Sequence, residues 1–159
     1  MFRTAAVTAL TAAMLSLMLV PAYAGPTESA FLQKLGNTWS GKGRLSGAES
    51  GPIACKMVIS STTRNAKFQG RCAIPDMAQQ AFSGSITYND KLKRYEARTA
   101  AGVVAGVRRG DRLVFTTKER NLSGTAYSTM TISPTSLVVD FALVDRDGAK
   151  TTSRITFSR

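Results

Sequence analysis

Histidine is absent from this chain, cysteine occurs twice and tryptophan once. Without histidine there is no side chain of the type that most often serves as general base near neutral pH or ligates a transition metal. Two cysteines alone do not complete a structural zinc site. Neither Gly-x-Ser-x-Gly nor Ser-x-x-Lys occurs, so the common activated-serine frameworks are missing too. Acidic residues are scarce: 10 Asp and Glu face 21 Lys and Arg, for a net charge of +11. The closest pair, Asp145 and Asp147, flanks Arg146 where a hairpin tip is expected, and turn formation explains it better than a metal. The sequence therefore reads as non-enzymatic, with no cofactor and no metal.

Long apolar runs are confined to the first 24 residues. Arg3, the stretch Ala5 to Val20, Pro21 and the small-residue site Ala22-Tyr23-Ala24 have the layout of a secretory signal, with cleavage expected after Ala24. The run is shorter and richer in Ala and Thr than the roughly 20 apolar residues of a membrane span. The expected organisation is a cleaved leader over 1–24 and one domain over 25–159, periplasmic or secreted, with no transmembrane segment after cleavage. Disulfides persist in such a compartment, so Cys55 and Cys72 are expected to pair, a closure worth about 3 kcal/mol in the chain-entropy model. A redox or metal-binding pair is the rival reading, but there is no Cys-x-x-Cys.

What is present is alternation. After a short helix candidate, in which Thr27 can cap, Phe31, Leu32 and Leu35 form a stripe and Gly36 ends the turn, the chain reads as about ten strands. Ile53, Cys55, Met57 and Ile59 share one face of a strand, as do Phe68, Gly70, Cys72 and Ile74 on the next. Phe82, Gly84, Ile86 and Tyr88 repeat the pattern, and Leu137, Val139, Phe141 and Leu143 do so later. Asn89-Asp90-Lys91, Gly110-Asp111 and Asp147-Gly148 mark turns. No helical segment of crossover length intervenes, which argues against parallel βαβ units. The expected fold is all-β: one up-and-down antiparallel meander closing into a barrel of about 8–10 strands, with a short N-terminal helix.

The short helix, the lone tryptophan in Leu35-Gly36-Asn37-Thr38-Trp39-Ser40-Gly41 and the meander to the last residue together resemble the calycin-like barrels: lipocalins, fatty-acid-binding proteins and nitrobindin-like domains. The resemblance implies a barrel that binds a small ligand. The chain departs from each member. Gly36 stands three residues before Trp39 rather than two, the C-terminal helix of lipocalins and the helix pair of fatty-acid-binding proteins are missing, and no haem-binding histidine exists. Arg154 is similar in position to the carboxylate-binding arginine of fatty-acid-binding proteins, but it has the opposite parity to Ile155 and Phe157 and is expected to point outward.

Parity nominates a cavity lining of Trp39, Met57, Phe68, Gly70, Phe82, Gly84, Ile86, Phe115, Met130 and Phe141. Within it Trp39 reads better as core at the barrel bottom than as a ligand stacker. Gly70 and Gly84 read better as kinks that let the sheet coil than as openings for a ligand. Alternate turns of a meander lie at one end, which should gather Arg64, Lys67, Lys91, Lys93, Arg94, Arg108, Arg109 and Arg112 into a basic rim; Lys118, Arg120, Arg146 and Lys150 with Glu119, Asp145 and Asp147 form the more balanced opposite rim. The rim is read as an anion-facing patch or a mouth attracting acidic ligands, against a merely solvated basic surface.

The leading functional expectation is a barrel binding a small, mostly apolar ligand or lipid, with rim cations assisting an anionic head. The alternative is an interaction protein, protease-inhibitor-like or gripping an anionic envelope surface or protein partner, with no small ligand. No sequence-specific nucleic-acid reading is indicated. Arg109-Gly110-Asp111 is an ordinary hairpin-turn sequence, and Asn121-Leu122-Ser123 is a glycosylation sequon whose use depends on the host.

Overall fold

The computed structural model describes residues 25–74 and 79–159; the leader-like segment lies outside the described residues. One helix, α1 (Pro26–Lys34), precedes ten strands: β1 (Asn37–Gly47), β2 (Gly51–Ser61), β3 (Asn65–Ala73), β4 (Gln80–Asn89), β5 (Arg94–Thr99), β6 (Gly102–Arg109), β7 (Arg112–Asn121), β8 (Gly124–Ile132), β9 (Leu137–Asp145) and β10 (Lys150–Ser158). Each strand pairs antiparallel with its sequence neighbours, and β1 closes on β10 from Ser40↔Ser158 to Gly47↔Thr151. The expected all-β up-and-down barrel is thus realised with ten strands.

Alternation sets the faces. On β2, Ile53, Cys55, Met57 and Ile59 are buried while the residues between them are exposed, and β10 buries Thr151, Ser153, Ile155 and Phe157 in the same way. Cys55 and Cys72 stand directly opposite in the β2–β3 register, 4.0 Å apart at Cα, and are joined by the expected disulfide inside the barrel. Arg154 points outward, as its parity required, and pairs with Asp140 at 3.2 Å. The helix departs from expectation at its start. Gly25 is the N-cap and Pro26 opens the first turn, so Thr27 lies inside the helix, not at the cap.

Ten strands enclose more space than aliphatic side chains fill, and bulky rings opposite glycines deal with it. Phe68 faces Gly84 and Phe82 faces Gly70 across the β3–β4 ladder; Phe157 faces Gly41 and Phe115 faces Gly106. Each ring lies over the bare backbone of its partner. A methyl group built on Gly70 would stand 2.5 Å from both the Phe82 ring and the Lys56 carbonyl, and one on Gly84 would stand 2.4 Å from the Arg98 carbonyl. The neighbouring backbones cross where a Cβ would be. Gly70 and Gly84 therefore serve as corners that let the wall bend, each roofed by an aromatic ring.

Candidate functional site

The two ends of the barrel are built differently. At one end α1 lies across the opening and inserts Phe31, Leu32 and Leu35 against Trp39, all of them buried, with Leu32, Leu35 and Trp39 at 0% exposure. Phe31 meets Tyr95 edge-on at 5.6 Å between ring centres, and Tyr95 meets Tyr88 in the same way at 5.0 Å. Ile86, Leu113, Phe115, Ile132 and Leu137 complete a dry layer above the helix. This end carries the β2–β3, β4–β5, β6–β7 and β8–β9 turns.

The other half is open. Phe68, Phe82, Val104, Met130, Phe141 and Leu143 all have inward parity, yet every one of them is only half-buried. No helix among the described residues lies across the end opposite α1, and Phe68 and Phe82 also border a groove that reaches the outer face of β2–β4. The opening is one-sided, since the inward faces of β1, β2 and β10 at the same height are covered: Leu45, Cys55 and Ser153 are buried. The accessible wall runs along β3–β4, β6 and β8–β9.

The nominated lining accordingly divides. Trp39, Met57, Ile86 and Phe115 belong to the buried interior; Phe68, Phe82, Met130 and Phe141 face the accessible half; Gly70 and Gly84 lie beneath phenylalanine rings. Val104, Leu143 and Ser128 stand outside that nominated set and belong to the accessible wall. Parity alone could have added them. Phe141 stands between Ser128 and Ser153 in the ladders, and the buried Ser153 hydroxyl has no hydrogen-bond partner among the described residues.

Charge is divided between the same two ends. The eight nominated rim cations do gather at one end, joined by Lys34 and Arg159, with Glu28, Asp90 and Asp111 as the acids there. That end is the one α1 closes. At the open end Lys118, Arg120, Arg146 and Lys150 are matched by Glu49, Glu119, Asp145 and Asp147, and among the described residues no cation occupies an inward position there. Glu119 and Asp145 do have inward parity. The basic rim and the mouth are therefore opposite ends of the molecule.

On the outer wall Glu96 is almost wholly covered, accepting hydrogen bonds from Arg94, Arg98 and Asn89 at 2.8–3.2 Å. Burial, the largest influence, pushes its carboxyl up, but the bonds from Arg94, Asn89 and Arg98 outweigh it and hold the group below the usual glutamate value. A groove of about 1020 Å³ also runs over β2–β4, where Lys56, Val58, Gln69 and Arg71 meet the Thr99–Ala101 turn and Phe68 and Phe82 form part of its floor.

No protein-family model matches the chain, and no curated protein matches it. Among solved structures it is similar to Rv2717c from M. tuberculosis, with a TM-score of 0.54 and 11% identity over 84% of this chain and 98% of that one. At that identity the likeness is one of fold. Looser likenesses are EF1p2_mFAP2b bound to DFHBI, with a TM-score of 0.45 and 17% identity over 83% of this chain and 98% of the other, and a de novo designed fluorescence-activating β-barrel, at 0.37 and 17% over 80% and 95%.

Proposed function

We propose that this protein is a non-enzymatic binding barrel that takes a small, mostly apolar ligand into the open half of its interior, in the periplasm or outside the cell. The observation that carries the reading is the partial exposure of Phe68, Phe82, Val104, Met130, Phe141 and Leu143, six inward apolar side chains in a closed barrel. Apolar surface held open to water in a concave wall is the ordinary make-up of a small-molecule site. Ser128, opposite Phe141 on the accessible wall, supplies a polar group that orients a guest. The Cys55–Cys72 bridge and the leader-like first 24 residues support an oxidising compartment.

The mouth argues against the acidic head expected from the basic rim. Its inward charged positions are Glu119 and Asp145, so an approaching carboxylate would meet like charge. The ligand we favour is uncharged, with one hydrogen-bonding group. Titration with Nile red, a neutral apolar dye, tests this. Saturable binding with a blue-shifted emission is expected, weakened at least about tenfold by Phe141→Arg or by Leu143→Arg nearer the rim, and unchanged by Arg109→Glu. Binding that never saturates, or that both cup substitutions leave intact, would overturn the reading.

A further inference from the structure

The capped end holds a second concavity, independent of the cup. Between α1 and the β4–β5 and β6–β7 turns lies a cleft of about 600 Å³ lined by Lys93, Arg94, Tyr95, Arg108 and Gly110, with Glu28 on the helix side. Arg108 occupies an inward position of β6, opposite Leu113, at the level that α1 fills. Its guanidinium lies instead 4.3 Å over the Phe31 ring, with Nε donating to the Gly110 carbonyl at 2.9 Å and Nη1 donating to the Tyr95 hydroxyl at 3.3 Å. Those three contacts hold the side chain still, and among the described residues they leave Nη2 without a hydrogen-bond partner and the guanidinium paired with no carboxylate.

Its neighbours are arranged to the same effect. Arg94 directs Nε and Nη2 to one oxygen of Glu96, at 3.2 and 3.1 Å, which fixes its fork and leaves Nη1 free. Arg98 shares that carboxylate, so the triplet keeps a net positive charge. Lys93 sits in the left-handed region at φ 50° and forms part of the cleft's lining. Glu28 is the only acid lining the cleft among the described residues.

We propose that this cleft binds a phosphate group, with Arg108 as principal ligand and Lys93 and Arg94 flanking it. A planar guanidinium matches phosphate oxygens two at a time, and one already immobilised on a ring and a carbonyl loses little freedom on binding. Three cationic donors against one acid suit a group with more than one negative charge and several acceptor oxygens better than a single carboxylate. The apolar backing of Phe31 and Tyr95 strengthens the field within the cleft. The group can come from a free phosphate or from a lipid headgroup.

The test is NMR titration of the protein with inorganic phosphate against chloride at matched ionic strength, together with sedimentation on phosphatidylcholine vesicles with and without phosphatidic acid. Expected are saturable phosphate-specific shifts at the amides of Tyr95, Val107 and Gly110, weakened about tenfold by Arg108→Gln and a few-fold by Lys93→Gln, with Lys118→Gln at the far end unaffected. Vesicle binding that needs phosphatidic acid and Arg108, without a response to inorganic phosphate, supports the same site with a lipid source. The proposal is overturned if chloride reproduces the shifts, if neither phosphate nor vesicles bind, or if binding survives both Arg108→Gln and Lys93→Gln. Lys93 is exposed on a turn, so its substitution reads the site even where the Arg108 change perturbs folding. Nile red uptake measured on the same samples separates this outcome from that of the cup.

Discussion

The capped half and the open half of this barrel are made from the same ten strands with the same alternation, yet one is a dry core and the other a wall that water reaches. The difference lies in what covers them. Below, α1 brings Phe31, Leu32 and Leu35 onto Trp39 and the inward residues around it are buried except Tyr88 and Arg108 at the edge; above, no element crosses the lumen among the described residues, and side chains of equal size stay partly exposed. Stability and accessibility have been separated along the barrel axis. One half holds the fold together, and the other is less tightly covered.

That contrast can be broken first by cutting large apolar side chains from the two halves. Trp39→Ala should cost about 3–5 kcal/mol and Phe141→Ala about 2 or less, because only the first empties a sealed site. Urea unfolding measures both, and similar losses would mean that the open half is packed as tightly as the capped one.

The glycine corners give the next largest effect. Alanine at Gly84 meets the Arg98 backbone, whereas the nearest atoms at Gly41 all belong to the Phe157 ring. Both substitutions should cost about 1–3 kcal/mol. Phe157→Leu should recover part of the loss at Gly41→Ala, while Phe68→Leu should recover little at Gly84→Ala. A double-mutant cycle reads the coupling, and equal rescue at both sites would remove the distinction between ring-filled and backbone-crossed corners.

The smallest effects are expected from pH. Glu96 titrates below its unfolded value, so its stabilisation is present above the ordinary glutamate pKa and lost as pH falls through the folded one. Glu96→Gln should flatten the melting-temperature profile below about pH 5. Tyr95 behaves in the opposite sense. Burial pushes its phenol up, against the hydrogen bond and charge of Arg108, so its contribution is present below the unfolded tyrosine pKa and lost as pH rises through the folded value. Tyr95→Phe should therefore lessen the alkaline loss, and wild-type profiles at both extremes would place these groups outside the folding equilibrium.

Much of the fold was legible because strand parity is a local property. Ile53, Cys55, Met57 and Ile59 had to share a face, Cys72 had to face Cys55 once β2 and β3 paired, and Arg154 had to leave the interior if Ile155 and Phe157 entered it. The gathering of Arg64, Lys91, Lys93, Arg108 and Arg109 was legible for a similar reason, since alternate turns of a meander share an end. The division of the nominated lining was not. Met57 and Phe68 both have inward parity, yet Met57 is buried while Phe68, one ladder step nearer the β2–β3 turn, borders the groove over β2–β4, a difference that parity does not encode. The pairing of four phenylalanines with four glycines was equally hidden, because it depends on strand register, which turn lengths and bends set together.

The amino-acid sequence by itself determined the all-β meander, the strand faces and the single cross-link, because period-two alternation and turn chemistry act over a few residues at a time, while the count of ten and the closure of β1 on β10 came from the tertiary structure. Only the tertiary structure decided that the cations surround the sealed end while the accessible lumen opens at the other. That depends on which end of the barrel nine helical residues cover, a long-range packing choice that no local pattern encodes.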